Sequence, residues 1–191
     1  MHTSENLEKG KNKFMRFTDV YLKINRVFEQ FEKLLAIALI SCIVIIVFSG
    51  TIARYVFNEP LFGADRLATY LMVWLGFIGF QIATSKLRHI EVEFLKARVS
   101  ANTKYKMNMA TSFLAAIFLV IFAVIGFKYV GRSIELADVD LVLSIPLWII
   151  ILIIPVSFSI AAVRFFCTIF LWLDVLKGDR KEEEIVKKQI L

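Results

Sequence analysis

Four stretches of this chain carry no charged side chain: residues 34–53, 67–84, 109–127 and 141–163, of 20, 18, 19 and 23 residues. A helix needs about 20 residues to cross the hydrocarbon core of a bilayer. Each block is long enough, the second with help from its flanks. Helix is the open-chain form that satisfies its own backbone hydrogen bonds in lipid, so the pattern predicts four transmembrane helices. The first block does not fit a cleaved leader, because it is too long and a charged segment of about thirty residues precedes it.

A different periodicity precedes the first block. Phe14, Phe17, Tyr21, Ile24, Phe28, Phe31 and Leu35 recur at alternating intervals of three and four, which is one helical stripe. Lys13, Arg16, Lys23, Arg26 and Lys33 surround it. The combination predicts an amphipathic interfacial helix over 14–32 lying on membrane lipids, apolar side in and cations toward anionic headgroups. Packing against the cytoplasmic side of a partner is the other reading. In the middle loop, Ile90, Val92, Phe94, Leu95 and Val99 stand among Lys96, Arg98, Lys104 and Lys106 and predict a second, shorter amphipathic helix. In the tail, Glu183 with Lys187 and Glu184 with Lys188 read as a solvated helix end.

Charge orients the spans. Of 23 Lys and Arg, 19 lie in residues 1–33, 85–108 and 164–191, and only 4 in the connections 54–66 and 128–140. Basic loops stay cytoplasmic. N-terminus, middle loop and the tail 164–191 are therefore expected on the cytoplasmic side. The net charge of +6 and the mean hydropathy of +0.69 belong to this arrangement. The basic residues flank apolar blocks and form no dense patch, so nucleic acid is not an expected partner. The whole of 1–191 reads as one all-α integral membrane domain.

Candidate chemistry is sparse. His2 and His89 lie outside the apolar blocks, which excludes haem held by paired intramembrane histidines. Cys42 and Cys167 are isolated and read as buried structural thiols. Asp138 and Asp140 are too few for a metal site. No hydrolase or phosphate-loop motif occurs, and no cofactor is expected. His89 with Glu91 and Glu93 is the one cluster a cytoplasmic-face membrane enzyme could use. A stand-alone carrier would need an ionisable group inside a block. None is there, and Gln81 is the strongest polar group in the second. The chain reads as a scaffold for a partner rather than as an enzyme. In the second block Ala68, Met72, Gly76, Gly79 and Ala83 form a seam of mostly small residues, suited to close helix approach by a partner or by this chain's own bundle.

Several segments together resemble the small membrane subunit of tripartite ATP-independent periplasmic (TRAP) transporters. They are Arg54-Tyr-Val-Phe-Asn-Glu-Pro-Leu61, then Asp65 with Leu67-Ala68, then Val73-Trp74-Leu75-Gly76 and Gly79. His89-Ile-Glu-Val-Glu93-Phe-Leu95 follows, and last come Ser144, Pro146, Pro155 and Arg164. The chain departs from the pattern at Gly63, Asp65 and Arg66, where the family often has two acids and a nearby Trp, and at Ser85, where it often has Arg. The resemblance implies a bacterial inner-membrane subunit that anchors a large TRAP membrane subunit, the carrier of the substrate and sodium sites. It also implies help in docking a periplasmic substrate-binding protein that delivers an organic acid. Arg54 and Asp65, at the ends of the first connection, are the expected docking residues. His89 and Glu93 mark the family loop.

Overall fold

The computed structural model describes residues 2–85 and 101–176, and these are all-helical with no strand. Helix α1 spans His2–Val56, α2 Ala64–Ser85, α3 Ala101–Glu135, α4 Leu147–Ile151 and α5 Ile153–Leu176. Four segments are long and apolar enough to cross a membrane: Val20–Val56, Ala64–Ser85, Lys106–Glu135 and Leu147–Phe170. These contain or overlap the four blocks read from hydropathy. The middle-loop helix, His89, Glu93 and the tail beyond 176 lie outside the described residues.

The first helix differs from the expected pair of helices. It runs without interruption for 55 residues, roughly 80 Å at the usual rise. No Gly or Pro stands between Asn12 and Gly50 to break it. Of the stripe, Ile24, Phe28 and Phe31 are exposed and Tyr21 is half-buried, while Leu22, Asn25, Glu29 and Glu32 are buried at intervals of 3, 4 and 3.

That inversion holds across the described residues. Large apolar side chains such as Val44, Phe48, Phe118 and Ile125 point outward. Most buried positions are small or polar, among them Ser112, Ala116, Ser157, Ala161 and Thr168. A water-soluble bundle would do the reverse, so the surrounding medium is lipid. There, association rests on close packing of small residues and on interhelical hydrogen bonds. Helix α3 supplies such a face. Asn108, Ser112, Ala116, Leu119, Ala123, Gly126, Val130 and Ser133 recur at intervals of three or four, and all but the half-buried Gly126 are buried. The face packs on α5. The backbones approach closely at Gly126, where an added Cβ would lie 2.9 Å from the Cβ of Pro155.

Pro155 also divides the last span. It lacks the N–H that would bond the carbonyl of Ile151. The break falls there, with Leu152 in a turn between α4 and α5. The expected interruption is thus present. The start of the span is later than hydropathy suggested. Residues 141–146 form a loop, because Ser144 adopts φ 54° and Pro146 stands as an extended N-cap of α4. Helix α3 ends in a Schellman arrangement around Ala137 at φ 50°. Asp138 N donates to Ser133 O at 3.1 Å and Ala137 N to Ile134 O at 3.1 Å. Between α1 and α2, Asn58 at φ 53° and Gly63 at φ 80° make the reversal. Asn and Gly are the residues that tolerate this region, which accounts for Asn58 within the Arg54–Leu61 motif.

Candidate functional site

The densest buried chemistry in the described residues lies where α1, α2 and α5 meet, near the C-terminal end of α2. Arg164 is its centre. Its Nη2 donates to Glu32 Oε1 at 2.8 Å, and the two side chains are 5% and 7% exposed. Its Nη1 donates to Gln81 Oε1 at 3.1 Å, to the backbone carbonyl of Gln81, and at 3.4 Å to Thr84 Oγ1. The Gln81 side chain in turn donates from Nε2 to the carbonyl of Ser157 on α5. Thr168 Oγ1 (2.8 Å) and Tyr21 OH (3.5 Å) both donate to the Arg164 carbonyl. Asn25 Nδ2 reaches the last carbonyl of α2, Ser85 O, at 3.1 Å. One guanidinium thus joins three helices. A charge buried at this depth persists only when paired and hydrogen-bonded.

Neither member of this ion pair was inside a charge-free block. Glu32 precedes the first and Arg164 follows the fourth, so hydropathy placed both at the membrane boundary. The structure instead places both within span-length helices, Val20–Val56 and Leu147–Phe170. The charge-free blocks themselves hold no charged residue, and the pair stands just outside two of them. A signal was available: Asn25, Glu29 and Glu32 recur at intervals of four and three beside the aromatic stripe, about a quarter turn round the helix.

A second network closes the other end of the bundle. Tyr70 OH on α2 donates to Asp140 Oδ2. Asp140 Oδ1 accepts from the backbone N–H groups of Val142 (2.9 Å) and Leu143 (2.8 Å). The hydrogen bond from Tyr70 and those two backbone donors hold the Asp140 carboxyl below the ordinary carboxylate range. Its role is to shape the α3–α4 loop. Among the described residues no group of three or more candidate ligands could hold a metal. Nearby, Arg54 Nη2 and Asp65 Oδ2 meet at 3.4 Å, both exposed at 57% and 88%.

The second-span seam divides. Ala68 is buried within this chain, whereas Met72, Gly76, Gly79 and Ala83 are exposed. A Cβ added at Gly76 or Gly79 would meet nothing within 4 Å. The chain's own close helix contact is the α3–α5 face. Trp74, from the same family segment, turns inward and donates its indole N–H to Ile150 O at 3.2 Å, beside the break before α5. A groove of about 360 Å³ between α2, α3 and α5 is lined by Phe80, Phe118, Phe122, Phe158 and Phe165 with Ala115 and Leu119. Its aromatic rings pack edge-on or tilted around Phe158 at 5.7–6.0 Å. Cys42 is exposed and Cys167 half-buried. The expectation of two buried thiols therefore fails at Cys42, because α1 buries only a narrow strip, which at this level is Ile43.

The two networks tie helix to helix and loop to helix, so the fold and its buried groups define a multi-pass helical membrane protein. The sequence family of tripartite ATP-independent periplasmic transporters, DctQ component, matches residues 43–175, more than half of the chain, and the chain belongs to that family. A Haemophilus influenzae (strain ATCC 51907 / DSM 11121 / KW20 / Rd) protein designated a TRAP transporter small permease protein is 30% identical over 63 residues. That match covers 33% of this chain and 39% of the relative, so the chain spans about two fifths of the relative's length.

Proposed function

We propose that this chain is the small permease subunit of a sodium-driven TRAP symporter for organic acids, and that it scaffolds a large membrane subunit carrying the substrate and sodium sites. Family membership supports the complex. The observation that carries the scaffold role is the exposed face Met72, Gly76, Gly79, Ala83, mostly small-residue surface that the described residues do not cover. In lipid such a face suits a neighbouring helix. The buried charges support the same reading: Arg164 and Glu32 are committed to each other and to their own bundle.

The distribution of Lys and Arg favours a bacterial inner membrane orientation with N- and C-termini in the cytoplasm. The Arg54–Asp65 end would then face the periplasm and contribute to docking a substrate-binding protein. His89 and Glu93 would belong to the cytoplasmic loop. Two measurements test the proposal. The purified chain alone in proteoliposomes is expected to move no organic acid, while the chain with its large subunit and binding protein shows sodium-dependent uptake. Uptake by the chain alone overturns the scaffold role. A C-terminal reporter active only in the periplasm overturns the orientation.

A further inference from the structure

We infer that Arg164 is a positioning residue that sets the rotation of α1 on the bundle, and so decides which of its faces looks outward. This does not rest on the transport reading. The argument begins with what α1 offers its neighbours before it enters the apolar stretch. Between Val20 and Lys33 the buried positions include Asn25, Glu29 and Glu32, while Val20, Ile24, Val27 and Phe31 are each 55% exposed or more. A lipid-exposed helix gains nothing from the hydrophobic effect by turning one apolar face rather than another toward its bundle. The rotation is therefore set by close packing, as at Gly50 against Ala64, and by directional bonds.

Those bonds converge on Arg164. Its Nη2 holds Glu32 of α1 while Nη1 holds the Gln81 side chain of α2. Its own carbonyl accepts the Tyr21 hydroxyl of α1. Asn25 adds a further link, to Ser85 O. A planar guanidinium with two donor edges fixed on different helices defines an angle, which a point charge would not. Buried ion pairs are weak sources of net stability and can often be replaced by apolar residues, yet they can specify a single arrangement. The geometry here fits that second role: Glu32 Oε2 is left without a partner, so the pair is not optimised for bonding, while its direction is fully constrained.

The experiment reads rotation directly, in a full-length chain lacking Cys42 and Cys167. Asn25→Cys with Ser85→Cys forms the native pair, and Ile24→Cys with Ser85→Cys reports a rotated helix. A short bifunctional thiol reagent is applied in membranes. With Arg164 present, the native pair is expected to cross-link at least about tenfold faster than the rotated pair. In the double variant Arg164→Met/Glu32→Leu, whose two groups leave no uncompensated buried charge, yield and melting temperature are expected to stay near the parent's, while the preference falls by about tenfold toward equality. The single variant Arg164→Met should lose the preference and also accumulate poorly. A double variant that keeps the native preference overturns the inference. So does one that fails to accumulate in the membrane, since Arg164 would then hold the fold together rather than set the rotation.

Discussion

At the scale of single residues, two positions are governed by backbone geometry and charge rather than by burial of apolar surface. Asp140 caps its own loop through the N–H groups of Val142 and Leu143 and receives the Tyr70 hydroxyl. Its pKa is lowered, chiefly by that hydroxyl. A carboxylate whose folded pKa is depressed contributes stability that is full above its unfolded value and is lost as pH falls through the folded value. The wild type is therefore expected to melt above Asp140→Asn at pH 6. The difference should shrink only below about pH 4, the ordinary carboxylate range. A gap that is constant from pH 6 to pH 3 would show that the charge is not what matters. Ala137 occupies the left-handed region at the end of α3, where a Cβ costs roughly 1–2 kcal/mol. Ala137→Gly should raise stability by about 1 kcal/mol, read as an upward shift of the melting temperature in detergent.

At the scale of elements, the order and approximate extent of the spans were legible from apolar runs, and the break in the last span from Pro155. Three things were not. The continuity of α1 was hidden because its aromatic stripe reads as a separate surface helix, while its inward face is polar and escapes any search for hydrophobic periodicity. Arg164 and Glu32 stand at block edges, so their pairing needed three-dimensional placement. The loop over 141–146 is as apolar as a span, and Asp140 shapes it through local bonds that leave no compositional mark. The α3–α5 contact gives a paired prediction. A methyl at Gly126 would lie 2.9 Å from Pro155 Cβ and 3.4 Å from its Cα, and a proline ring cannot swing aside. Gly126→Ala should therefore cost about 1–3 kcal/mol by overpacking. At Gly131, on the same helix, an added methyl would meet nothing within 4 Å. Gly131→Ala should be neutral or stabilising by up to about 1 kcal/mol through helix propensity. Equal melting temperatures for the two variants would mean that α3 and α5 do not meet at Pro155.

At the scale of the whole molecule, the question is which surface serves this chain and which serves a partner. Gly126 and Gly79 are both helical glycines, yet one lies against Pro155 and the other has open space on its side-chain face. In lipid both can support close backbone approach; they differ in what they approach. Gly79→Leu adds four carbons on a face the described residues leave bare, beside Gly76 and Met72. The isolated variant is therefore expected to insert and to melt like its parent, since Leu favours insertion and its Cβ would meet nothing within 4 Å. With a large TRAP subunit the same change should overpack the contact, at about 1–3 kcal/mol. That corresponds to roughly a tenfold or greater loss of association. Co-purification of the two subunits at graded expression, beside the melting temperature of the variant alone, separates the outcomes. Weakened assembly with unchanged melting places the partner on the Met72–Ala83 face. Normal assembly with unchanged melting would leave that face to lipid and move the partner contact elsewhere. A lowered melting temperature for the isolated variant would mean that α2 turns this face inward, against the arrangement described here.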